Sequence, residues 1–77
     1  MDEPSDIQRL VNNLFDGRRV ASRLDAVVRA ESLDMPDAVR DIVALLPPGR
    51  FTRGQLCDQL NSAITAHGYA TWMGTVD

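Results

Sequence analysis

The side chains best suited to nucleophilic or acid–base chemistry in this chain of 77 residues are its single cysteine, Cys57, and its single histidine, His67. A thiol and an imidazole within hydrogen-bond reach of each other can form a catalytic nucleophile and its base. Both residues lie on one predicted helix, where ten residues correspond to about 15 Å of axial rise, so they cannot meet. We therefore interpret Cys57 as a small core residue and His67 as a helix-capping residue, and we predict a protein that is not an enzyme.

Metal and nucleotide sites have no better support in the sequence. A zinc site needs three or four ligands, and no second histidine or cysteine is present. Asp34, Asp37 and Asp41 lie near one predicted helix start, where they complement the helix dipole, and their spacing lacks the glycine of a calcium loop. The five glycines occur singly and form no phosphate-binding loop. We expect no metal, no cofactor and no small-molecule substrate.

The charges are segregated along the chain. Residues 17–31 contain four arginines and two acids and carry +2, whereas the rest of the chain carries −5, which gives the net charge of −3. On a helix predicted over 18–31, the arginines lie opposite the apolar stripe and are Arg18, Arg19, Arg23 and Arg29. This arginine face can bind a carboxylate-rich protein, a second copy of the acidic chain or phosphate, and the alternative is a merely solvated face.

A small nucleic-acid-binding regulator that uses the same arginine face is the second functional hypothesis. Guanidinium groups pair with phosphates, and helices commonly enter the major groove. The net acidic charge opposes nonspecific attraction to phosphate. The segment from Phe51 to Leu60 is typical of the first helix of a helix-turn-helix, but no second helix follows it after a short turn. We therefore rank nucleic acid below protein as the partner.

The C-terminal residues 69–77 mix aromatic and β-prone side chains, which fits a short strand or a strap across the helices. Tyr69 and Trp72 are interpreted either as a lid on the core or as apolar anchors at an interface. The predicted partner-binding residues are therefore Tyr69 and Trp72 together with the arginine face. If the tail is extended, its unpaired backbone could pair with the edge of a second chain.

Local signals predict the helices that must position these residues. Ser5 and Gln8 form a capping box, and so do Thr52 and Gln55. Apolar residues at helical spacing follow the first box and include Ile7, Leu10, Val11 and Leu14. A second apolar set, which includes Leu24, Val27 and Val28, is out of phase with the first, so we place a break at Asp16-Gly17.

The predicted fold is all-α, with one domain over 1–77. Its four short helices cover about 6–15, 18–31, 35–46 and 52–67, and no internal repeat is recognisable. The longest apolar run, 42–46, is far shorter than the roughly 20 residues that span a membrane. The acidic N-terminus is unlike a secretory signal and the lone thiol suits a reducing compartment, so we expect a cytoplasmic protein.

A chain this short buries only about 60% of the surface that its unfolded form exposes. The single cysteine cannot form an internal disulfide, so help from a partner would stabilise the fold. The predicted function is a non-enzymatic protein–protein interaction or regulatory module that acts through homo- or hetero-oligomerisation, with a homodimer as one form.

Overall fold

The computed structural model describes residues 5–68 and 74–77. Within them the chain forms four helices and two short strands: α1 (Asp6–Leu14), β1 (Val20–Ser22), α2 (Arg23–Ser32), α3 (Asp37–Ala44), β2 (Arg50–Thr52) and α4 (Arg53–Ala66). The strands pair antiparallel, with Val20 opposite Thr52 and Ser22 opposite Arg50. The domain is mostly helical, as predicted, but the small sheet means that it is not purely all-α.

The predicted second helix, 18–31, begins too early, because the observed helix α2 starts at Arg23. Ser22 is its N-cap: the Ser22 hydroxyl accepts from the Asp25 N–H at 3.1 Å, and the Asp25 carboxylate accepts from the Ser22 N–H at 2.9 Å. This capping box was not recognised in the sequence. An N-cap residue has an extended backbone, so a helix cannot continue backwards through it, and residues 18–22 form a loop and a strand.

The other predicted helices agree more closely with the structure. α1 ends at Leu14, and α4 begins at Arg53, directly after Thr52, the N-cap of the predicted capping box. α3 is shorter than 35–46, because Pro36 is its N-cap and Leu45 its C-cap. None of the helices in the described ranges is both long enough and apolar enough to cross a lipid bilayer.

The chain is built from two similar helix–strand–helix units, α1–β1–α2 and α3–β2–α4. The buried residues of α1, which are Ile7, Leu10, Val11 and Leu14, recur with the same spacing as Val39, Ile42, Val43 and Leu46. In each unit a glycine of positive φ, Gly17 at 85° or Gly49 at 129°, precedes the strand. Each strand then ends in a Ser or Thr capping box that starts the next helix.

The two units differ between the glycine and the strand. β2 starts directly after Gly49, whereas Arg18 and Arg19 separate Gly17 from β1. These two arginines therefore have no counterpart in the second unit. The insertion also shifts the spacing between the repeated helices and strands, which explains why the repeat could not be recognised in the sequence.

All four helices and β1 contribute to one hydrophobic core. Its largest fully buried side chains are Ile7, Leu10, Leu14, Ile42, Leu56, Leu60, Ile64, Val11 and Val43. α2 enters the core through two small residues, Ala26 and Ala30, each 1% exposed, and it packs most extensively against α3. The backbones of α1 and α4 approach each other at few points, and the buried side chain of Val76 joins the core from the C-terminal segment.

Candidate functional site

The four arginines predicted to form one face are distributed over a loop and two flanks of α2. Arg18 and Arg19 precede β1, and the Arg18 guanidinium lies 3.2 Å from the Asp25 carboxylate. Arg23 donates to the carbonyl of Leu46 at 3.3 Å, and Arg29 donates to the side-chain carbonyl of Asn13. The predicted arginine face is therefore wrong as a feature of one helix, since Arg18 and Arg19 are not helical. Whether these residues bind a partner stays a prediction.

Two arginines thus link α2 to its neighbouring helices. Arg23 ties the start of α2 to the end of α3, and Arg29 ties α2 to α1. Within the described residues, Arg19 has no hydrogen-bond or ion-pair partner, and it is exposed. Arg19 is therefore the arginine of this set whose guanidinium is most available to another molecule.

The outward side of α2 carries exposed aliphatic residues. Leu24 is 69% exposed and Val28 is 54% exposed. A spacing of four residues puts them about 40° apart on the helix, one turn above the other. The helical spacing of the apolar residues predicts that both lie on the inward stripe, and this prediction is wrong. The capping box fixes the start of α2 so that Ala26 and Ala30 face the core, and the larger aliphatic residues face out.

The start of α2 also has a perturbed carboxylate. The backbone N–H of Ser22 holds the pKa of Asp25 below its ordinary value of 3.8, and the Ser22 hydroxyl and the Arg18 guanidinium lower it further, while partial burial opposes them. Each of the lowering contacts favours the ionised form. Asp25 therefore contacts both Ser22, the N-cap of α2, and the inserted Arg18.

We expect Asp25 to contribute stability that depends on pH. A carboxyl whose pKa is lowered by folding stabilises the fold above its unfolded pKa of about 4, and this contribution is lost as the pH falls through the lower folded value. Asp25→Asn should cost a few tenths to about 1 kcal/mol in the free energy of unfolding at pH 7, and the difference from wild type should shrink below pH ~4. Urea unfolding at several pH values measures the stability cost at pH 7 and its decrease at low pH. Asp58→Asn removes an exposed carboxylate of α4 that belongs to no capping box, and this control should leave the free energy of unfolding at pH 7 nearly unchanged.

Cys57 lies in the core, as predicted, with 5% of its surface exposed. Burial raises the pKa of its thiol, and the charge of Arg53 opposes this rise. A raised pKa leaves less thiolate at neutral pH, and the thiolate is the reactive form. His67 is the C-cap residue of α4 and is exposed. Among the described residues, no group of three or more histidine, cysteine or acidic side chains is placed to hold a metal ion.

A polar cluster that the sequence analysis did not predict lies where α1 and α4 meet the C-terminal segment. Gln8 on α1 accepts from the Asp77 N–H at 3.0 Å and donates to the Asp77 carbonyl at 2.9 Å. Asn61 on α4 accepts from the Val76 N–H at 2.7 Å and donates to the Val76 carbonyl at 3.0 Å. Only one half of the predicted capping box of Ser5 and Gln8 forms. The Ser5 hydroxyl accepts from the Gln8 N–H, whereas the Gln8 side chain bonds to Asp77.

Arg53 completes this cluster at the start of α4. It donates to the Asp77 carbonyl through Nε at 3.2 Å and Nη2 at 2.9 Å, and Nη2 also donates to the Asn12 side-chain carbonyl at 2.6 Å. Beside it is an open groove of about 520 Å³. The groove is lined by Arg9, Asn12, Asn13, Phe15, Asp16 and Arg53. No periodic pattern marks these residues, so the sequence offered no signal for the cluster.

Tyr69 and Trp72, the predicted apolar anchors, lie outside the described residues. The part of the predicted tail that is described, residues 74–77, has no regular secondary structure and crosses α1 and α4 as a strap. Residues 74–77 are called the strap below.

No family model, curated protein or solved structure matches this chain. The functional interpretation therefore depends on the chain's own surfaces.

Proposed function

We propose that this protein is a non-enzymatic protein–protein interaction module, and that the outward face of α2 is its contact surface. The observation that supports this is the pair of exposed aliphatic side chains, Leu24 and Val28, one turn apart on a helix whose fully buried residues are alanines. Exposed aliphatic residues that adjoin one another indicate contact sites more strongly than scattered ones do. A cytoplasmic location belongs to the same proposal, because the lone thiol suits a reducing compartment.

A second copy of this chain is the partner that the charges of α2 favour. The inserted Arg18 and Arg19 precede β1, which leads into the helix, and Glu31 and Asp34 lie at or just beyond the helix end, all of them exposed. Arg18 also pairs with Asp25 and Asp34 with Arg40 within the described part of the chain, so Arg19 and Glu31 are the charges of this set without such a pair there. In a two-fold symmetric dimer with antiparallel α2 helices, the arginine end of one copy meets the acidic end of the other, and the Leu24 and Val28 side chains face each other. Such an interface has an apolar centre and a charged rim.

The solution mass across a concentration series tests this proposal. The wild-type chain should form a dimer, and the double variant Leu24→Asp/Val28→Asp should raise the dimer dissociation constant by about 100-fold or more, because it places charges in the apolar centre. Salt should weaken the dimer modestly through its rim. The control Gln59→Asp/Ser62→Asp adds the same charge at exposed positions of α4, away from the proposed interface.

A wild-type chain that stays monomeric throughout the series, or a dimer that the α2 variant leaves unchanged, would remove self-association through α2. The nucleic-acid hypothesis is tested with the same samples, by titrating a labelled duplex at several salt concentrations. Binding with a steep salt dependence that Arg19→Glu abolishes would favour nucleic acid as the partner.

A further inference from the structure

We propose that the groove between α1 and α4 is a recognition site for an extended peptide of a partner protein, and that the strap occupies it as an intramolecular ligand. This site is separate from the outward face of α2. Its ligand is an extended segment with a β-branched aliphatic residue followed by acidic residues.

The hydrogen bonds at this groove recognise an extended backbone. The Asn61 carboxamide pairs with both backbone groups of Val76, and the Gln8 carboxamide pairs with both backbone groups of the next residue, Asp77. In an extended chain the N–H and C=O of successive residues point to opposite sides. α4 therefore binds one side of the strap and α1 binds the other, much as two neighbouring strands would.

The groove recognises one side chain by its shape. Val76 is 5% exposed and belongs to the hydrophobic core, whereas Thr75 and Asp77 on either side of it are exposed. The strap bonds to both α1 and α4 and places Val76 in the core, so this side chain is part of the packing between the helices. The site therefore demands an aliphatic residue at one position and accepts other side chains on both sides of it.

The open groove adjoins the strap at Asp77. Arg53 and Asn12 line the open groove, and Arg53 also binds the Asp77 carbonyl. A peptide that continues past the position of Asp77 meets the guanidinium groups of Arg9 and Arg53 and the carboxylate of Asp16. Arg9 is paired with Asp6 at 2.6 Å, so the charges here are balanced. Each guanidinium group has further N–H donors, and these favour acidic residues in the ligand.

A partner's segment fits this site better than the strap of a second copy does. The strap of each chain reaches its own groove at the high effective concentration of a short connection. A second copy's strap offers the same contacts and gains nothing over it. A foreign segment with acidic residues at the open groove adds contacts that residues 74–77 do not make, and it can displace the strap.

The test titrates a labelled peptide, Gly-Thr-Val-Asp-Glu-Glu, into the full chain and follows fluorescence anisotropy. Val76→Asp places a charge where a core side chain packs and should release the strap, so the folded variant should bind the peptide at least about tenfold more tightly than wild type. Adding Asn61→Ala to Val76→Asp should weaken binding by about tenfold, because it removes two hydrogen bonds to the peptide backbone. The matched control Ser62→Ala, on the exposed side of the same helix, should not change binding.

The proposal is overturned if folded Val76→Asp fails to bind, or if Asn61→Ala leaves binding unchanged. If Val76→Asp does not fold, the wild-type chain is titrated with millimolar peptide, and the side-chain amide NMR signals of Gln8 and Asn61 should shift. Unshifted signals would refute the site. Displacement of the strap by a second copy, seen as a dimer that Val76→Asp abolishes and Leu24→Asp leaves intact, would overturn the choice of partner.

Discussion

Replacing Leu46 by alanine should lower the free energy of unfolding by about 2–5 kcal/mol, whereas Leu45→Ala should change it by less than about 0.5 kcal/mol. The two leucines directly follow α3, with Leu45 as its C-cap, and they differ in burial: Leu46 is 3% exposed and Leu45 is 49% exposed. Truncating Leu46 leaves a cavity in the core, while truncating Leu45 removes contacts mostly with water. Urea unfolding followed by circular dichroism measures both variants.

The two variants form a stringent test, because they make the same substitution at neighbouring positions and differ mainly in the burial of the leucine. A domain of this length has a total stability of roughly 4–12 kcal/mol, so the Leu46 variant should lose a large part of it. Equal effects at the two positions would contradict the inward orientation of Leu46. They would also contradict the position at which α3 ends. A large effect at Leu45 alone would mean that the exposed leucine is covered by another molecule under the conditions of the measurement.

The second large effect is expected from enlarging the alanine face of α2. Ala30→Leu should destabilise the fold by about 1–3 kcal/mol, because Ala30 is 1% exposed and three further heavy atoms must displace packed neighbours. Ala44→Leu is the control: Ala44 is exposed on α3, and the two residue types have similar helix propensity. Thermal and urea unfolding of the two variants give the difference.

A stabilised Ala30→Leu variant would contradict the packing of α2 described here. It would mean that the core has unfilled space beside this helix and that leucine fills it. An equal loss of stability in both variants would mean that leucine disfavours the helices themselves, because only Ala30 faces the core and a packing effect would be confined to it.

Local signals predicted the helices well where they were unambiguous. The capping box of Thr52 and Gln55 located the start of α4, and the apolar spacing of α1 identified its buried face. The start of α2 was missed because the apolar residues before Ser22 also fit a helical spacing. Pairing between β1 and β2 joins segments that are distant in the sequence, and no local pattern records such a pairing.

The candidate sites were harder to predict than the helices. Leu24 and Val28 are apolar, and the general rule that apolar residues face the core predicts both of them inward. In α2 the small residues Ala26 and Ala30 face the core instead. Gln8 and Asn61 act through carboxamides that contact backbone groups, and such contacts depend on where the chain returns in space. The arginines were identified as a charged group, but their intramolecular partners became visible only with the helices in place.

The paired helix–strand–helix units have a consequence for how this chain holds together. Either half alone would present an apolar helix side to water and a strand with no neighbour, so each half supplies the other with what a separate subunit would supply in an oligomer. The protein is in this sense a dimer of half-domains in one covalent chain. The two halves are not equivalent, because α2 packs closely on α3 whereas the strap bridges α1 and α4, so a binding partner can distinguish one half of the molecule from the other.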